Sequence, residues 1–216
     1  MKGIFIKIIK MVGIIFLLGI AGILFLNVFY QKNEKFERAF TAGEIYSQKG
    51  EYEKAIESYK QALPSKRLEI DAETSILRIY KILKKPEKEI EFLKDRLKNA
   101  PDKILFDRLR LSRIGEIYWK HLKDHDNAKL YYQKDIDRFH DISSMMALSE
   151  IYEDEGDIEK AIHLKEMALK RMVVFNNRMS ANNKAKRLEE LGNLYLKVGR
   201  TDEAKKVFDE AKTLKQ

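Results

Sequence analysis

Four histidines and no cysteine limit what this 216-residue chain can do as a catalyst or a metal carrier. His121 and His125 stand four apart, with Asp124 and Asp126 beside them. On a continuous helix that spacing turns two imidazoles to one side, as a bound metal requires. Leu122, Lys123 and Asp124 separate them, so the glutamate that follows the first histidine in zinc proteases is missing. The pair also falls where the chain is expected to turn, and a solvated polar turn is the reading preferred over a ligand set. His140-Asp141 and His163 are isolated. There is no glycine-rich phosphate loop, no nucleophile elbow, and no grouping of acid, base and nucleophile. The expectation is a non-enzymatic protein with no metal site and no cofactor; a metal-binding subunit built on His121 and His125 is the least favoured alternative.

The elements behind these residues are set by five tyrosines, Tyr46, Tyr80, Tyr118, Tyr152 and Tyr195, spaced 34, 38, 34 and 43 residues apart. Three and four residues before each stands a small or apolar pair: Ala42-Gly43, Ile76-Leu77, Ile114-Gly115, Leu148-Ser149 and Leu191-Gly192. Alanines follow three of the tyrosines by nine residues (Ala55, Ala161, Ala204) and by sixteen (Ala62, Ala168, Ala211). In the cleanest copy, Ala39, Ala42, Gly43 and Tyr46 share one helical face, Gly50 ends the helix, and Tyr52, Ala55, Ile56, Tyr59, Ala62 and Leu63 form the stripe of a second helix. A period near 34 residues marks a helix-turn-helix solenoid, a class that binds and organises.

These segments resemble tetratricopeptide repeats (TPRs). The order small, large, Tyr, Gly, Ala, aromatic, Ala is matched in the copies at about 36–69 and 185–216. The copy at 142–175 departs once, with Lys165 in place of the aromatic. The copy at 70–103 has Lys84 for the turn glycine and Glu89 for the alanine, and closes with Pro101. In the copy at 108–141, Ala128 and Tyr132 are displaced by one residue, which implies an enlarged turn through His121 to Asn127. The Asn-rich stretch 176–183 implies either an extended helix or a surface loop. The fold expected is all-α: a TPR-like solenoid of about five repeats over 31–216.

The resemblance implies that the first helix of each pair lines a concave groove. The groove residues are then Phe40, Glu44, Arg78, Lys81, Glu116, Trp119, Met146, Glu150, Asp154 and Asn193. The Lys and Asn that hold a peptide's terminal carboxylates in some of the family are not at the matching positions, which carry Phe40 with Glu44 and Glu189 with Asn193. Trp119, the one tryptophan, is either an interface anchor or a packing residue between repeats. The surface near Phe208 and Leu214 offers a further face for docking or self-association.

Residues 11–30 form an apolar run whose one polar member is Asn27, long enough as a helix for a bilayer core of about 30 Å. Lys2, Lys7 and Lys10 precede it and no acid does. This predicts a cytoplasmic tail (1–10), a transmembrane helix (11–30) and repeats on the periplasmic or external side. Cleavage after Gly19-Ile20-Ala21 is the rival, disfavoured because the apolar sequence continues from Ile23 to Phe29. Of the formal charge of +8, three lysines stand before the run and the remainder carries +5, spread as mixed charge. Such mixing reads as solvated helix faces, and no nucleic-acid module accompanies it. The expected function is a membrane-anchored scaffold or assembly factor for an envelope or secretion complex, with a translocon-associated holdase as the alternative.

Overall fold

The computed structural model describes residues 18–22, 24, 31, 33–100, 103–174 and 180–215. Among them the regular structure is entirely helical: α1 (33–48), α2 (Tyr52–Ala62), α3 (Glu69–Ile82), α4 (Pro86–Asn99), α5 (Lys103–Glu116), α6 (His125–Phe139), α7 (Ile142–Asp154), α8 (Ile158–Val174), α9 (Ala181–Lys197) and α10 (Thr201–Leu214). A π-helical turn, Ile117–Leu122, continues α5. The chain divides into two compact units at the Lys85–Pro86 junction, inside the copy at 70–103.

Each tyrosine owes its place to the turn that follows it. A residue in the left-handed conformation ends the first helix of each pair: Gly50, Lys84, Lys123, Gly156 and Gly199. The next backbone N–H then donates to the tyrosine's carbonyl. Glu51 reaches Tyr46 at 2.9 Å, Lys85 reaches Tyr80 at 3.1 Å, Asp124 reaches Tyr118 at 2.9 Å, Asp157 reaches Tyr152 at 2.8 Å and Arg200 reaches Tyr195 at 2.9 Å. This bond satisfies a carbonyl that the helix end leaves free. In the third copy the π-helical turn absorbs the extra residue, which accounts for the displacement of Ala128 and Tyr132.

Packing within the pairs depends on small residues. Ala55, Ala161 and Ala204 are fully buried, as their spacing required. A Cβ added to Gly43 would lie 2.7 Å from the Tyr59 ring, one on Gly115 2.9 Å from Tyr132, and one on Gly192 2.6 Å from Phe208. The rings therefore lie directly on helix backbone. Cations lie over tyrosine rings of the series: Lys54 at 5.6 Å over Tyr46, Lys94 at 5.4 Å over Tyr118, Lys160 at 5.0 Å over Tyr152 and Arg200 at 4.6 Å over Tyr195.

Longer helices take up part of the wide spacing before the last copy. Both α8 and α9 have 17 residues, against 13 in α7. The α9 helix starts within the Asn-rich stretch, capped by Ser180 accepting from the Asn183 N–H. Residues 175–179, Pro101 and most of the expected span 11–30 lie outside the described residues. Among the described residues no helix is long and apolar enough to cross a membrane.

Gly43→Ala is expected to destabilise the protein by about 1–3 kcal/mol, because the methyl must displace the buried Tyr59 ring. Gly192→Ala should cost less, since Phe208 is only half-buried and can swing aside. Lys84→Gly should stabilise by about 1 kcal/mol, relieving a lysine at φ 52. Chemical denaturation of the three variants checks this ranking, and a stabilised Gly43→Ala would mean that the pairs do not close on glycine.

Candidate functional site

In the first unit the residues singled out for binding gather around one buried ring. Tyr59, held on Gly43, is hydrogen-bonded to Ser75 of α3. Burial raises its phenol above the usual value, and the opposing charges of Glu44 on α1 and Arg78 on α3 both act on it. Phe40 packs against the same ring, with centroids 5.3 Å apart and the planes at 60°. Glu44 and Arg78 keep their charged ends exposed, as does Lys81 one turn further along α3. An apolar floor thus carries a phenol at its edge and charges of both signs around it.

The second unit builds the same arrangement with different charges. Tyr132 lies on Gly115, and Trp119 meets its ring edge-on at 6.5 Å and 80°. Burial pushes the Tyr132 phenol far above its usual range, and Glu116 and Glu150 add to the rise against Arg113. Burial also acts to raise the Glu116 carboxyl, but hydrogen bonding and charge from Arg113, at 2.7 Å, hold it below its ordinary value. Trp119 is half-buried beneath the Lys120 ammonium, 5.3 Å over its ring. It therefore packs within its own unit while keeping part of its surface free. Met146 does not join this row: it is 7 % exposed and belongs to the core shared by α6, α7 and α8. Asp154 and Asn193 are exposed beside an ion pair, Lys197 to Glu153 at 2.6 Å, that links α9 to α7.

The repeat pattern had assigned Tyr59 and Tyr132 only to an apolar stripe, so their hydroxyls went unnoticed. The available signal was the choice of Tyr at two ring positions where the last copy has Phe208.

The two histidines are not presented together by one helix. His121 lies in the π-helical turn, left-handed Lys123 follows, and His125 begins α6 with Nδ1 3.6 Å from Glu155. Among the described residues no three His, Asp or Glu side chains form a metal-holding group. One carboxyl is strongly perturbed. Asp135 on α6 is fully buried and accepts a hydrogen bond from Ser144 Oγ at 2.5 Å, while its other oxygen has no partner. Burial pushes it up to about 6, against the Ser144 hydrogen bond, with Asp141 adding to the rise and Arg108 opposing it.

The tetratricopeptide repeat model matches residues 36–64, 111–137 and 185–216. In those three segments the chain is similar to tetratricopeptide repeats. The three matched segments are the copies in which a ring lies on a glycine. Among solved structures, a MamA crystal structure is 20% identical with a TM-score of 0.57, covering 84% of this chain and 92% of that one. BtubC from P. vanneervenii is 20% identical at 0.57, over 86% and 82% of the two chains. YrrB, a TPR protein with an unusual peptide-binding site, is 15% identical at 0.52, over 88% and 91%. At these identities the likeness is one of TPR-like solenoid fold. No curated protein matches the chain by sequence.

The raised Asp135 gives a signed prediction. Its folded value near 6 lies above the ordinary 3.8, so the folded state binds more protons between those values. Relative to Asp135→Asn, the wild type should gain about 2–3 kcal/mol as pH falls from about 6 to about 4. Urea denaturation of both proteins across that window measures the difference; a flat difference would place Asp135 in contact with solvent.

Proposed function

We propose that this protein is a non-enzymatic, membrane-anchored scaffold whose TPR repeats hold protein partners of an envelope or secretion complex. In this reading residues 11–30 cross the membrane, residues 1–10 stay in the cytoplasm, and the repeats stand on the periplasmic or external side. The observation that carries the binding assignment is the repeated gathering of exposed charges around a floor tyrosine. Glu44 and Arg78 surround Tyr59, while Glu116, Trp119 and Glu150 surround Tyr132. Such a surface suits a segment with both apolar and charged side chains. A bare chain terminus is a poor fit, because no Lys–Asn clamp stands at the matching positions. YrrB's peptide-binding site is consistent with this use of the fold. The anchor rests on the apolar run and on the lysines before it.

Two experiments test the reading. Full-length protein is used as bait from solubilised membranes, with each variant first checked for folding by circular dichroism. Trp119→Ala should weaken partner binding by roughly 2 kcal/mol, and charge reversal at Arg78 or Glu150 should mainly alter association rate and salt dependence. Folded variants that retain every partner at wild-type strength would remove the binding face, and many weakly held clients in place of a stoichiometric partner would indicate the holdase. For topology, protease added to cells with a permeabilised outer layer should digest the repeats. Full protection, or a mature chain starting after Ala21, would overturn the anchor.

A further inference from the structure

The surface around the first described turns of α1 opens into two clefts. One, of about 510 Å³, has Phe36 and Pro64 as apolar wall and Asn33, Ser65, Lys66 and Arg67 as polar rim. Glu37 completes it and is ion-paired with Arg67. The other, of about 550 Å³, runs between α1 and Gln61 of α2; Lys35 lines it, and its Glu34 is paired with Arg38. Each acid here is matched by an arginine, and two lysines are left over. Neither Lys35 nor Lys66 has an ionic or hydrogen-bonding partner among the described residues.

Asn33 follows the apolar run by three residues. At 1.5 Å per residue a helix advances about 5 Å over that interval, within the polar layer of about 5–7 Å that flanks a bilayer's hydrocarbon core. We propose that the cleft between α1 and the α2–α3 connection receives the headgroup of an anionic phospholipid. Lys66 and Arg67 hold its phosphate, and Phe36 and Pro64 meet its glycerol end. The Arg67 guanidinium has donors enough to keep Glu37 while turning others to a phosphate oxygen. Lys35, on the other flank of α1, faces neighbouring headgroups. The site rests on the reading of residues 11–30 as an anchor, which sets the cleft at headgroup depth.

The test uses the full chain in nanodiscs of phosphatidylcholine alone and of phosphatidylcholine with phosphatidylglycerol. Amine-reactive labelling of Lys66 is read by mass spectrometry against the remote exposed lysines Lys170 and Lys205. Labelling of Lys66 should fall about fivefold in the phosphatidylglycerol discs, the change expected for about 1 kcal/mol per basic residue at an anionic surface, while the reference lysines stay constant. In the Arg67→Gln variant the protection should be lost, with the circular dichroism unchanged. Equal labelling of Lys66 in both discs, with the protein incorporated in each, would overturn the lipid site and leave the anchor standing. Failure to enter either disc would overturn the anchor and the site with it. Protection in phosphatidylcholine discs by added glycerol phosphate alone would mean a soluble-anion site and would also overturn the proposal.

Discussion

The contact on which the repeats depend is an aromatic ring resting on the bare backbone of the neighbouring helix. Gly43, Gly115 and Gly192 leave no room for a Cβ beneath Tyr59, Tyr132 and Phe208. Helices brought this close exclude water from the alanines beside the contact, so Ala55, Ala128 and Ala204 are completely buried. Close packing makes any change of volume costly. That accounts for the third copy, where an added residue is taken up as a π-helical turn after Gly115 and the ring contact is kept.

Buried polar residues that depart from the repeat pattern are satisfied by local partners. In the fourth copy Ser149 stands for the glycine and Lys165 for the ring, and both are buried. Ser149 returns its hydroxyl to the Met146 carbonyl at 2.7 Å, and the Lys165 ammonium lies 3.7 Å from Glu190 of the next helix. In the second copy Glu89 occupies the alanine position, buried, and accepts from Arg113 Nε at 2.7 Å. A buried charge left alone would be strongly destabilising, so each departure requires a partner on an adjacent helix. In a repeat array, where neighbours touch only neighbours, such exchanges stay local and the remaining copies keep their geometry.

The parts of the fold readable from sequence are those with fixed spacing. The tyrosines mark helix ends because their carbonyls close the turns, and the turn glycines are readable because few other residues take a positive φ without strain. Lys84 takes that conformation anyway, so its copy looked degenerate while its turn is intact. Helical periodicity sets which side chains share a face of one helix. It does not set depth: Met146 shares the face of Glu150 and is drawn into the core. Nor does it pair residues distant in sequence. Glu116 and Glu150 converge on Tyr132, and Glu89 meets Arg113, only because the helices stack.

The same packing gives the tyrosines at the ring position a fixed place. A ring pressed on glycine is fixed in position, and so is its far edge. With phenylalanine, as at Phe208, that edge is apolar. With tyrosine it bears a hydroxyl whose place is set by the core. Glu44 and Arg78 act on Tyr59 in opposite senses; Glu116 and Glu150 act on Tyr132 against Arg113. Each unit therefore has acid and arginine side chains acting on a phenol that rests on glycine.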